Sequence, residues 1–96
     1  MENQHRLIKG YRDLSPAEIA LMNEIKEAEA NLAALFVKVR MHLNQQEGDA
    51  AIGTTEERLR LVNAEPKRWA SIAKTEFQNG FMALVRTVAQ PATPWE

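Results

Sequence analysis

Residues 72–91 carry more apolar surface than one helix face can hold. Placed 100° apart, Phe77, Gly80, Phe81, Leu84, Val85 and Val88 cover two adjacent stripes. A helix with two apolar stripes needs two sets of neighbours. The chain has 96 residues, enough for one small domain, and too few to supply both sets from itself. This predicts an all-α fold: an antiparallel hairpin of two long helices with a short N-terminal arm or helix, one domain over residues 1–96, assembled into a homo-oligomer.

The first long helix has a clear start. Ser15 can cap, Pro16 suits the first helical position, and Glu18 can reach back to close a capping box. Leu21, Ile25, Ala28, Leu32, Leu35 and Val39 then recur in a 4-3-4-3-4 spacing, a heptad-like seam. Met22, Phe36 and Leu43 form a second stripe beside it. The polar run at 45–49 predicts an end near residue 43 and a linker over 45–54. Thr54-Thr55-Glu56-Glu57 has capping-box form, with one or two helical turns expected over 57–62. Glu65-Pro66 opens the last helix and Pro91 closes it. Two helices bury one stripe each against one another. Leaving the second stripes in water forfeits about 1.5–3 kcal/mol per large side chain, a decisive sum for so small a domain. Association follows, with Gly80 and Ala83 permitting close helix approach.

Charge and composition remove several function classes. With 12 basic and 13 acidic side chains the net charge is −1, so no global field draws the chain to DNA or to anionic lipid. The absence of cysteine removes disulfides and thiolate chemistry. The polar start Met1-Glu2-Asn3-Gln4-His5-Arg6 does not read as a signal peptide. The longest apolar run, at 32–37, is far short of a membrane span. His5 and His42 lie in different elements with no carboxylate or thiol at a metal-ligand spacing. Glu47 and Asp49, and Glu56 and Glu57, are acids in polar stretches, best read as solvated charge. Ser15 and Ser71 lack a base at a recognisable spacing, and no phosphate-cradling glycine motif is present. No catalytic constellation, metal or cofactor is expected. Lys67, Arg68, Lys74 and Arg86 form a solvated basic face or intersubunit ion pairs, interleaved with Glu65 and Glu76. Lys9-Gly10-Tyr11-Arg12 is different. It places an aromatic ring between two cations, beside a glycine that lets the backbone approach a ligand. It reads either as an anion or base site or as a tyrosine docked on the hairpin with its flanking charges in water.

Asn3-Gln4-His5-Arg6, Gly10-Tyr11-Arg12-Asp13-Leu14, the block Phe77-Gln78-Asn79-Gly80-Phe81-Met82-Ala83-Leu84-Val85-Arg86 and Ala89-Gln90-Pro91 together resemble one family. The chain looks like the small phage anti-CBASS cyclic-nucleotide sponges, which are grouped with the anti-Thoeris sponges. The resemblance covers both ends and the two long helices, and is weakest over about 45–62. It implies a helical homohexamer in the cytoplasm of the infected bacterial host. Such a protein sequesters cyclic oligonucleotide messengers of antiphage defence without cleaving them. It implies further that Tyr11 stacks on a base of a cyclic dinucleotide such as cyclic GMP-AMP and that Lys26 meets a phosphate. Lys9, Gly10 and Arg12 stand as supporting positions. Some members hold cyclic trinucleotides in a second pocket, built from a threonine on the first long helix and an arginine near the start of the last. The matching positions here are Ala28, a departure from that pattern, and Arg68 or Lys67.

Elementary chemistry is compatible with that picture. A cyclic dinucleotide has two phosphates and two bases about an approximate two-fold axis, and a two-fold protein interface presents each residue twice. Stacking is worth about 1–3 kcal/mol per base and a charge-assisted hydrogen bond about 1.5–3 kcal/mol. Two other classes stay open on the residues alone. One is a structural or adaptor oligomer with no small-molecule ligand; the other is an enzyme degrading the same messengers, disfavoured by the lack of a metal or base cluster.

Overall fold

The computed structural model describes residues 12–95; Lys9, Gly10 and Tyr11 lie outside the described residues. Within them are three helices, α1 (Pro16–Ala51), α2 (Thr55–Ala64) and α3 (Pro66–Ala89), and no strand. Lys67 at the start of α3 bridges to Glu47 near the end of α1. Arg12, ahead of α1, bonds carbonyls at the end of α3. The two long helices therefore run antiparallel, as the hairpin reading requires, with α2 at the corner.

α1 begins as its sequence dictates. Ser15 Oγ accepts from the Glu18 N–H at 3.2 Å and the Ser15 N–H donates to Glu18 Oε1 at 2.8 Å, so the capping box is closed in both directions. Its end corrects the expected boundary. The helix does not stop near residue 43 but runs through Gly48 to Ala51, and the linker shrinks to 52–54. Burial is the reason. Leu43 and Ala50, one heptad apart, are both buried, and Gln45 Nε2 donates to Asp49 Oδ1 at 3.0 Å one turn on. Packing of this kind outweighs a glycine penalty of about 1 kcal/mol.

α2 is longer than the one or two turns expected over 57–62. Thr54 Oγ1 accepts from the Glu57 N–H at 3.1 Å. The Glu57 carboxylate, however, pairs with Arg60 at 2.6 Å and does not turn back to the cap. Between α2 and α3 the chain turns on one residue. Glu65 adopts φ 49, ψ 52 and serves as the end of one helix and the start of the next. Pro66 then takes the first position of α3. At the far end Gln90 takes the same left-handed conformation and its N–H reaches Arg86 O at 2.9 Å. Pro91 follows, and the tail leaves Trp95 exposed.

The hairpin draws on both stripes of α1. Ile25 and Leu43 are buried and Met22, Leu32 and Phe36 half-buried, so these residues face the hairpin. The rest of the heptad seam stays open to solvent: Leu21 is 49% exposed, Leu35 54% and Val39 52%. α3 behaves alike. Ile72, Phe81, Val85 and Val88 are half-buried, Phe77 and Leu84 exposed, and none is fully buried. Both surplus stripes read from the sequence thus remain uncovered in the single chain, which measures 63 × 28 × 18 Å.

Candidate functional site

Arg12 spans the open end of the hairpin. Arg12 Nε donates to Ala89 O at 3.0 Å and Nη2 to Val88 O at 2.8 Å. The same guanidinium meets Glu18 on both oxygens, Nη2 to Oε2 at 2.6 Å and Nη1 to Oε1 at 3.3 Å. Glu18 lies in the first turn of α1, where the helix dipole favours an anion, and Val88 and Ala89 belong to the last turn of α3, where it favours a cation. The carboxyl of Glu18 is held down to about 2, first by the Arg12 hydrogen bond and then by the Ser15 N–H. Arg12 is raised in turn, chiefly by its bond to Glu18. The cation beside Tyr11 is therefore engaged in the fold.

Lys26 lies along α1 from this cluster, about 12 Å from Glu18 at 1.5 Å per residue. It is exposed and carries no ion pair or hydrogen bond among the described residues. It stands at the edge of a groove of about 450 Å³ between α1 and α3. The aromatic rings of Phe36, Phe77 and Phe81 line this groove, with Lys26, Arg40 and Lys74 around it and Glu29 and Gln78 as further polar groups. Arg40 and Lys74 also border a second, more polar cleft of about 360 Å³ that adds Asn44, Ser71 and Lys67. Arg40 was no candidate in the sequence. The available signal was spacing, because Lys26 and Arg40 are two heptads apart and so lie near one helix face. Lys74, read as part of a solvated basic face, faces the same groove.

The positions assigned to a second pocket do not meet within one chain. Lys67 bridges to Glu47 at 3.2 Å, and residue 47 is about 28 Å along α1 from Ala28 at 1.5 Å per residue. Arg68 lies beside Lys67, 3.6 Å from Glu65 and 5.3 Å from the centre of the Trp69 ring. A pocket drawing on Ala28 and on Lys67 or Arg68 must take them from different copies. Among the described residues no group of acids and histidines is placed to hold a metal ion, and no helix is long and apolar enough to cross a membrane.

Comparison with known proteins agrees with this architecture. A family model described as the Acb2/Tad1 hairpin domain matches residues 3–89. The chain is also 42% identical over 105 aligned positions to "Anti-CBASS protein 2" of Pseudomonas phage JBD67, covering 95% of this chain and 97% of that protein.

Proposed function

Because the chain belongs to the Acb2/Tad1 hairpin-domain family, we propose that it counters bacterial CBASS immunity by sequestering cyclic oligonucleotide messengers without cleaving them. The printed name of its phage relative supports the anti-CBASS role. The observation that carries the binding reading is Lys26, an exposed cation with no ion pair among the described residues, standing over an aromatic groove. A phosphate there gains a charge-assisted bond without first displacing a carboxylate. Tyr11 precedes Arg12, whose guanidinium meets Glu18 about 12 Å from Lys26 along α1, and supplies a face for base stacking. Cyclic dinucleotides such as cyclic GMP-AMP are the primary ligands.

The site is built from more than one copy, and the assembly is a homohexamer. The exposed Leu21, Leu35 and Val39 of α1 and Phe77 and Leu84 of α3 supply the contacts. Cyclic trinucleotides are the second ligand class, with Ala28 facing Arg68 or Lys67 of another copy. Both cations are held by surface pairs worth about 0–1 kcal/mol, which a ligand phosphate can displace. The protein acts in the cytoplasm of the infected host.

Titration calorimetry with cyclic GMP-AMP tests the reading. Tyr11→Ala and Lys26→Ala are each expected to abolish dinucleotide binding while leaving the oligomer size unchanged. Full affinity in both variants rejects the site. Ala28→Thr is expected to alter trinucleotide binding alone; a changed dinucleotide affinity shows that the two pockets are one. The same uncovered apolar faces favour a second reading, an adaptor oligomer without a ligand. That reading is supported if the assembled protein depletes no cyclic nucleotide from solution.

A further inference from the structure

Arg12, Arg58, Arg60, Lys67 and Arg68 all find partners within the chain. Lys26, Lys38, Arg40, Lys74 and Arg86 find none among the described residues. These unpartnered cations are not scattered. Lys26, Arg40 and Lys74 line one groove between α1 and α3, where Glu29 is the one acid among the described residues of the lining. Arg40 and Lys74 meet again in the adjoining cleft of about 360 Å³, which has no acid among the described residues of its lining. The register of the hairpin explains why. Lys67 of α3 stands opposite Glu47 of α1, bridged at 3.2 Å; one heptad on along α3 and one heptad back along α1 stand Lys74 and Arg40. Lys38 makes the contrast. It lies about 200° round the helix from Arg40 and borders neither cleft.

Two cations on facing helices, with no counter-charge among the described residues, repel one another until an anion is supplied. We propose that Arg40 and Lys74 form a phosphate-binding pair for a nucleotide, separate from Lys26 and from Lys67 and Arg68. Arg40 lies about 21 Å along α1 from Lys26 at 1.5 Å per residue, so the groove has a cationic centre at each end. The guanidinium offers a planar fork of donors to two phosphate oxygens, and the ammonium adds a point charge on a flexible stem from the opposite helix. Asn44, one turn beyond Arg40, and Ser71, one turn before Lys74, border the same cleft and can donate to a phosphate without adding charge. The rings of Phe36, Phe77 and Phe81 line the groove that the pair shares with Lys26. They give a base a stacking surface beside its phosphate. The pair rests on the geometry; the choice of a nucleotide over another aromatic phosphate rests on the proposed function.

Calorimetry with guanosine monophosphate, and with guanosine as the phosphate-free comparison, tests the pair. The unsubstituted protein is expected to prefer the monophosphate roughly tenfold or more, and Arg40→Gln and Lys74→Gln each to lose a factor of about ten, the reach of one charge-assisted bond. Both side chains are exposed and without a partner among the described residues, so neither substitution removes a contact of the fold. Lys38→Gln takes the same charge from another face of α1 and is expected to leave the affinity unchanged. An unaltered affinity for the monophosphate in Arg40→Gln or Lys74→Gln overturns the inference. An equal loss in Lys38→Gln does so too, because net charge then accounts for the effect. So does an unsubstituted protein that binds no guanosine monophosphate. Failure to bind cyclic GMP-AMP rejects the proposed function instead, while the guanosine monophosphate comparison still decides the pair.

Discussion

Glu18 closes the cap of α1 and holds Arg12 at once. Its folded-state carboxyl lies at about 2, below the ordinary 4.5. The ionised form is thus favoured by folding, and its contribution is complete above pH 4.5 and is lost as pH falls toward 2. Thermal unfolding of the unsubstituted protein and of Glu18→Gln should therefore differ most above pH 4.5, with the gap closing between pH 4.5 and 2. A gap of constant size across that window contradicts this role. The local half of the arrangement was legible in the sequence, since Ser15, Pro16 and Glu18 are neighbours with a known capping pattern. The staple to Val88 and Ala89 was not. Its partners are backbone carbonyls at the opposite end of the chain, which no side-chain motif marks, and so Arg12 read as a free cation beside Tyr11. Lys26 was found through resemblance, and Arg40 was missed because a lone arginine on an exposed face has no local signature.

At the level of the elements, proline and glycine divided in how well they reported. Pro16, Pro66 and Pro91 marked boundaries correctly because proline restricts its own backbone and that of the residue before it. Gly48 misled, since its cost is small and the burial of Leu43 and Ala50 on either side overrides it. Nothing lies within 4 Å of the position a Cβ would take there. Gly48→Ala is accordingly expected to raise stability by about 1 kcal/mol in urea unfolding; a loss of stability would mean that α1 does not run unbroken through this point. Gly80 gives the contrasting case. It too has open space around it within the chain, so the close helix approach read from the sequence can arise only with another copy. Gly80→Ala should weaken the assembly although it improves helix propensity, seen as a smaller species or a lower melting temperature. A more stable oligomer of unchanged size would show that Gly80 lies outside the subunit contacts.

The whole molecule is defined by how little it covers. Among the described residues Ile25, Leu43, Ala50 and Leu61 are the buried hydrophobic ones, while Leu21, Leu35, Val39, Phe77, Leu84 and other large side chains stand exposed. The surplus was legible from periodicity alone; which residues of each stripe pack inward was not, because two adjacent stripes of similar character compete for one partner helix. Gel filtration with light scattering should find a defined homo-oligomer, six chains if the family's assembly holds, and a well-folded monomer would contradict the association. Under the proposed function, α3 brings copies together as well as receiving Arg12, while the proposed ligand contacts, Tyr11 and Lys26, lie on the first half of the chain. The most direct measurement of sequestration without cleavage is to incubate the purified protein with cyclic GMP-AMP, remove the protein-bound fraction, denature it by heat and chromatograph what is released. The nucleotide should disappear from free solution and return intact in stoichiometric amount. Linear product, or a free concentration that never falls, would contradict it.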